Sequence, residues 1–310
     1  MENILILVLA LAIDLVFGEP PSVLHPVVWM GKFTSLIERL APGRGSPAQL
    51  IYGAGAVLLA IALFALPIYF LLSYLRELSQ AAYVIVGALV LKSTFSLREL
   101  RRVAREVKGL LIADNFPGAR AALRSLVSRD TSGLDKPLLV SATVESVAEN
   151  TCDSFVSPLF YFILFGLPGA IAYRVVNTFD AMVGYHGKYE YLGKFAARLD
   201  DALNFLPARL TSLMMAVAAF LSGKRFSATF RVILRDHAKT ESPNAGWTMS
   251  AAAGALNVQL EKKGHYILGD PNSLLLPENI DASLRIMGIT ALLWGLVCFL
   301  VEVVYLAFVS

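Results

Sequence analysis

The chain has 310 residues, 56% hydrophobic and only 16% charged, with a net charge of +3 and a mean hydropathy of +0.61. Soluble domains carry about 25% charged residues, so the composition excludes an ordinary water-soluble globule and describes a polytopic membrane protein. The charge is too small to support a nucleic-acid partner. The distant Cys152 and Cys298 build neither a disulfide framework nor a zinc motif, and no H-x-x-x-H pair suggests a zinc hydrolase.

In chain order, Ile4–Phe17 has no basic leader or A-x-A cleavage site and reads as a retained helix, short for a span, with Asp14 near its end. Pro20, Pro21 and Pro26 then impose a fixed loop in which His25 is by default structural. Ile51–Leu72 is strongly apolar, and Ser73–Gln80, with Arg76 and Glu77, suits a tight turn between antiparallel helices. Ala81–Leu97 is weaker and interrupted by Lys92. Its stretch Gly87 to Thr94 ends like a P-loop but has Leu91 where a glycine must let the backbone cradle phosphates, so no P-loop is present. Residues 98–137 hold nine Lys/Arg against five Asp/Glu and predict an amphipathic, water-facing excursion.

Phe155–Val176 is a second strong run, broken by Gly166-Leu167-Pro168-Gly169, which predicts a re-entrant or broken helix lining a cavity. Leu206–Leu221 is weaker. Residues 223–285 form a second excursion with eight basic and six acidic residues, and Met287–Val309 closes the chain. Both excursions read as cytoplasmic by the positive-inside rule. With no internal repeat and no strand-like alternation, the expected fold is all-α: one integral-membrane helical bundle over 1–310, with broken helices and cytoplasmic helical excursions.

Polar residues gather in islands. Glu145, Glu149 and Asp153 sit four apart, which stacks three carboxylates on one helical face. Such repulsion beside a bilayer calls for a cation, most simply a divalent metal, a metal-bound nucleotide or arginines. Upstream lies Arg129-Asp130-Thr131, whose plainest reading is a loop salt bridge. Arg174, Asn177 and Asp180 share a helical face at i, i+3, i+6, followed by Arg198, Asp200, Asp201, Asn204 and Arg209. Adjacent acids diverge on a helix, so one of Asp200 and Asp201 is expected to face a ligand and the other to pair with Arg198 or cap a helix. This alternation of arginine and carboxylate has the makings of a phosphate–metal site. Ser242-Pro-Asn244-Ala-Gly-Trp247 leads into a small-residue helix over Ser250–Leu260, with Trp247 by default an interface anchor.

In this order the islands resemble the adenosylcobinamide-phosphate synthases of cobalamin biosynthesis, the CbiB/CobD family. The likeness runs from Asp14 to about Arg285. It is carried by Arg129-Asp130-Thr131, by Glu145-Ser-Val-Ala-Glu-Asn-Thr with Asp153 and Pro158, and by Asn177-Thr-Phe-Asp180 through Tyr185. The stretches Ala197-Arg-Leu-Asp-Asp201 with Asn204 and Pro207-Ala-Arg-Leu210, and Ser242 to Trp247, complete it. Thr248-Met249 depart from the proline and glutamate expected after that tryptophan.

The resemblance implies ATP- and Mg²⁺-driven amide formation between (adenosyl)cobyric acid and an amino alcohol, typically (R)-1-aminopropan-2-ol O-phosphate. It implies Glu145, Glu149 and Asp153 as metal ligands or base, with Asn150 positioning substrate. Arg129, Arg174 and Arg198 would clamp phosphates, joined by Asp130, Thr131 and Arg209 in binding. Asp180, Asp200 and Asp201 would form a second metal site or the ammonium pocket, and Asn177, Asn204 and Asn244 would bond substrate amides. The expected partners are the corrinoid and amino-alcohol phosphate substrates, the lipid bilayer, a second copy of the chain and other cobalamin-assembly membrane enzymes. The expected location is the inner membrane, multi-pass, with the active face cytoplasmic. A corrinoid-precursor transporter and a non-catalytic pathway scaffold are the alternatives.

Overall fold

A backbone in hydrocarbon has no water to bond, so long apolar stretches form helices that satisfy themselves. The computed structural model describes residues 1–43 and 47–309. In chain order the helices are α1 (Glu2–Val16), α2 (Pro26–Leu40), α3 (Pro47–Leu78), α4 (Gln80–Lys92), α5 (Leu97–Ile112), α6 (Phe116–Leu123) and α7 (Lys136–Thr151). One π-helical turn (Cys152–Val156) joins α7 to α8 (Ser157–Val183). Then come α9 (Lys194–Leu221), α10 (Phe226–Asp236), a 3₁₀ turn (His237–Lys239), α11 (Ala245–Leu256), strands β1 (Gln259–Lys262) and β2 (Tyr266–Gly269), and α12 (Glu278–Val309). Five stretches among the described residues are long and apolar enough to cross a bilayer: Pro47–Leu78, Gln80–Ile112, Lys136–Val183, Lys194–Leu221 and Glu278–Phe308.

The all-α membrane character holds, with one correction: β1 and β2 pair as an antiparallel hairpin. Strands of four residues are too short to display an alternating pattern. Helix ends also moved. The turn expected over Ser73–Gln80 shrinks to Ser79, because α3 continues to Leu78 and the Ser79 hydroxyl already caps Ala82 N–H at 3.4 Å. The small-residue helix starts at Ala245 and ends at Leu256, where Asn257 turns left-handed (φ 58°).

The described residues pack as two compact units. One comprises Met1–Ser96, Ser157–Asn204 and the chain from Val297 onward; the other comprises Leu97–Val156 and Phe205–Leu296. In the first, Met30 of α2, Val57 and Ala60 of α3, and Ile171, Val175 and Phe179 of α8 are fully or almost fully buried together. Lipid tails are as apolar as these side chains, so close packing contact and not withdrawal from water holds them together. Helix α8 is broken at Gly166 (φ 67°, ψ −162°), as the Gly-Leu-Pro-Gly run predicts. That backbone region is open essentially to glycine alone, and Pro168 two residues on has no N–H to restore the ladder.

This unit also holds a buried charge cluster. Lys92, 2% exposed, lies 3.2 Å from Asp14 and 2.8 Å from Glu19, and Glu19 in turn meets His25 Nε2 at 2.8 Å. His25 Nδ1 accepts from Val27 N–H and so caps α2 ahead of Pro26, confirming the structural reading of this histidine. The P-loop-like ending is accounted for as well: Ser93 and Thr94 hydroxyls donate to carbonyls of Val90 and Leu91, tying off α4.

In the second unit α7 is apolar or small over most of its surface and is buried on every side from Leu138 to Ala148. It starts at Asp135, whose carboxylate accepts from Leu138 N–H at 3.1 Å, with Pro137 in the first turn. Around it, α5 buries Leu100, Val103, Ala104, Val107 and Leu111 while Arg102 and Arg105 stay exposed, the amphipathic pattern read from the sequence.

Candidate functional site

Within the second unit α7 and the π turn after it carry the acidic stripe, but not as a uniform ladder. Glu145 is 4% exposed, and Glu149 and Asp153 are partly exposed. The π turn over 152–156 interrupts the four-residue spacing before Asp153, so the three carboxylates do not stack on one regular helix. Pro158 follows this turn and has no N–H to offer the Ser154 carbonyl; such widened turns concentrate at functional sites.

Glu145 is the centre of a hydrogen-bond network. Its Oε2 accepts from Arg129 Nη2 at 2.9 Å and from the Tyr266 hydroxyl at 2.9 Å, and its Oε1 accepts from Ser141 Oγ at 2.6 Å. Ser141 also accepts from the Glu261 backbone N–H at 2.8 Å, so strand β1 fixes the serine and strand β2 supplies the tyrosine. Burial pushes the Tyr266 phenol far above its ordinary range, and the Glu145 and Glu149 carboxylates push it further. Tyr266 is therefore a donor at all physiological pH. Arg129 Nε is buried with no hydrogen-bond partner among the described residues.

The neighbours of this network have other duties. Arg129 pairs with Glu145 and not with Asp130, which corrects the simple loop-salt-bridge reading. Asp130 is exposed and accepts from the Ser132 backbone at 2.9 Å and hydroxyl at 2.7 Å, bonds that hold its carboxyl below the ordinary value. Thr131 is buried and donates to the Arg120 carbonyl. Asn150 donates to the Ser146 carbonyl at 3.0 Å and accepts from Ser154. Arg209 Nη1 donates to Asn244 Oδ1 at 3.0 Å, joining two of the sequence islands. Trp247 is partly buried, 4.8 Å from the Arg209 guanidinium and 4.2 Å from the His237 ring, so it is a packed side chain of this unit and not a bare interface anchor.

In the first unit a second network runs Arg174–Asn177–Asp200–Asn204. Arg174 Nη1 donates to Asn177 Oδ1 at 2.9 Å, and Asn177 and Asn204 donate to the two oxygens of Asp200 at 3.3 and 2.9 Å. Asn204 Oδ1 accepts from Ser157 and Tyr173 at 2.6 and 3.0 Å. Asp200 is buried while Asp201 is partly exposed and 3.9 Å from the exposed Arg198, the divergence that adjacent helical positions require. Asp180 folds back over Gly184, where an added Cβ would fall 2.1 Å from its Oδ1. Among the described residues no three His, Cys, Asp or Glu side chains come together as a cage for a bare cation.

The sequence model of the CobD/Cbib protein family matches residues 7–294. The chain belongs to the CobD/CbiB family. It is 53% identical over 307 residues to "Cobalamin biosynthesis protein CobD" of Dehalococcoides mccartyi, covering 99% of both chains. It is 44% identical to "Probable cobalamin biosynthesis protein CobD" of Methanothermobacter thermautotrophicus, covering 96% of this chain and 97% of the relative. A relative of the same description from Pyrococcus furiosus is 42% identical over 260 residues, 83% of this chain and 85% of its own. No solved structure matches.

Two polar residues of this CobD/CbiB member escaped the sequence reading. Ser141 was within reach of it, standing one turn before Glu145 on α7. Tyr266 was not, since it lies 121 residues from its partner in a segment with no local sign of function.

Proposed function

We propose that this CobD/CbiB protein is an ATP-dependent acid–amine ligase, joining (adenosyl)cobyric acid to (R)-1-aminopropan-2-ol O-phosphate to give (adenosyl)cobinamide phosphate. The observation that carries the reading is Arg129: a partly exposed guanidinium fixed through Nη2 by the buried Glu145 carboxylate, the arrangement that grips a phosphoryl oxygen. A carboxylate is a poor acyl donor at neutral pH. Attack of the cobyric acid carboxylate on the γ-phosphorus of ATP gives an acyl phosphate and ADP. Attack of the free amine on that carbonyl forms the amide and expels inorganic phosphate, while a base removes the ammonium proton.

The role assigned to Glu145 is to position Arg129, with Tyr266 and Ser141 fixing the carboxylate so that the guanidinium is set before substrate arrives. A Mg²⁺ ion that arrives on a nucleotide keeps several waters and asks for one or two carboxylates. Glu149 and Asp153, both partly exposed, suit that demand in kind, since a carboxylate open at the surface can be reached by a hydrated ion. The ion would neutralise triphosphate charge, and whichever of Glu149 and Asp153 is not engaged by it would take the ammonium proton. In the first unit Arg174 and Asn177 are assigned to hydrogen bonds with substrate amides. An active face toward the cytoplasm, where ATP is found, belongs to the same proposal.

The test is ADP release by purified protein given ATP, cobyric acid and each candidate amine. Release that needs both acid and amine supports the ligase; release indifferent to either overturns it. The break in α8 at Gly166 is the one observation favouring transport. Uptake of cobyric acid into proteoliposomes without ATP would be its signature.

A further inference from the structure

Arg209 is packed against two aromatic rings. Its guanidinium carbon lies 3.6 Å from the centre of the Phe205 ring and 4.8 Å from that of Trp247. Nη1 donates to the Phe205 carbonyl and to Asn244 Oδ1, and Asn244 is itself buried at the start of α11. Trp247 is braced edge-on by His237, whose Nδ1 is buried with no hydrogen-bond partner. All five residues belong to one compact unit. Aromatic contacts fix the plane of a guanidinium and leave its N–H groups in that plane for a planar or tetrahedral anion.

What the cluster lacks is an acid. Arg76, Arg102, Arg129, Arg198 and Arg235 each meet a carboxylate. Among the described residues none forms an ion pair with Arg209. The nearby Asp236 carboxylate is already engaged by Arg235, by Lys239 and by the Gly269 N–H at 2.8 Å. A partly exposed, oriented guanidinium with no counter-ion among the described residues leaves N–H donors for an anion from outside. Phe205 is more than half exposed, so the protein leaves the cluster uncovered at that side, on a helix long and apolar enough to reach the bilayer. A triphosphate would bring a metal and call for carboxylates; this cluster has none to give, and so fits a metal-free phosphate monoester.

We propose that Arg209, held between Phe205 and Trp247 and oriented by Asn244, binds the phosphate of the amino-alcohol substrate. The proposal rests on the ligase reading and adds to it the element that distinguishes a phosphorylated amine from a plain one. Lipid phosphate has the same chemistry, so the test must separate the two sources.

The experiment compares wild type, Arg209→Ala and Arg209→Lys, each shown monodisperse in detergent. Steady-state KM is measured for 1-aminopropan-2-ol O-phosphate, unphosphorylated 1-aminopropan-2-ol, ATP and cobyric acid. Arg209→Ala should raise KM for the phosphorylated amine about tenfold or more, the scale of one charge-assisted hydrogen bond. The other three constants should stay within about twofold of wild type by the same scale, and Arg209→Lys should fall between. An equal rise for both amines, or a rise confined to ATP, overturns the assignment. Equilibrium binding of the phosphorylated amine, without ATP, gives a reading that survives failure of the ligase reaction itself. Binding to wild type lost in Arg209→Ala supports the site even in an inactive protein; equal binding, or none to either, overturns it. Repeating that titration in nanodiscs of phosphatidylcholine alone and with phosphatidylglycerol gives the lipid arm. Arg209-dependent binding in both supports the amine phosphate, and its complete displacement by phosphatidylglycerol assigns Arg209 to lipid instead.

Discussion

Glu145 accepts three donors on two oxygens while almost sealed from water, and the donors are not equivalent. Removing the Tyr266 hydroxyl leaves the carboxylate with Arg129 and Ser141, so Tyr266→Phe should cost about 1–3 kcal/mol. Removing Arg129 leaves a buried carboxylate without its cation, and Arg129→Ala should cost about 3–5 kcal/mol. Unfolding midpoints in detergent should follow the order wild type, Tyr266→Phe, Arg129→Ala; the reverse order of the two variants would show that Arg129 is not the counter-ion. Glu149 is a different case, since its partly exposed carboxylate is assigned to chemistry. Glu149→Ala should abolish product formation with membrane insertion intact, and unchanged turnover would remove it from the mechanism. The stripe itself was legible because charge at four-residue spacing is rare in an apolar chain. Tyr266 was illegible because its significance lies in a contact that no local pattern encodes.

Two breaks in helical regularity frame α8: the π turn before it and Gly166 within it. The second was readable, since Gly-Leu-Pro-Gly removes both the steric bar to unusual backbone angles and one N–H of the ladder. The first was not. Pro158 marked a disturbance, but one proline does not say whether a helix kinks, stops or widens by a residue. The hairpin was missed for a related reason, since a four-residue strand carries too few alternations to stand out. Gly166 offers a sharp test because its φ of 67° with ψ of −162° excludes a Cβ. Gly166→Ala should destabilise by about 1–3 kcal/mol. Gly109, in the helical interior of α5 with open space where its Cβ would stand, makes the opposite prediction. Gly109→Ala should stabilise by about 0.5–1 kcal/mol. Paired thermal melts check both signs, and equal shifts would show that backbone geometry at 166 is not the constraint.

At the scale of the molecule, hydropathy fixes which stretches are helical but not why charged residues interrupt them. Lys92 looked like a flaw in an apolar run until Asp14 and Glu19, more than seventy positions away, supplied its counter-charges. That cluster ties the N-terminal helix and its proline-rich loop to α4, and it makes stability depend on acid. Burial alone would push the Glu19 carboxyl up, but hydrogen bonds from His25 and Lys92 outweigh it and hold the group at about 2, against an ordinary 4.5. A depressed carboxyl binds fewer protons folded than unfolded, so its contribution is complete above about pH 4.5 and fades as the pH falls through about 2. The shift corresponds to at most roughly 3 kcal/mol. Glu19→Gln removes the charge at every pH. The melting temperatures of wild type and Glu19→Gln in detergent should therefore differ by a constant amount near neutrality and converge as the solution is acidified toward pH 2.5. A gap that persists unchanged to that pH would mean the carboxylate is not what joins the loop to Lys92.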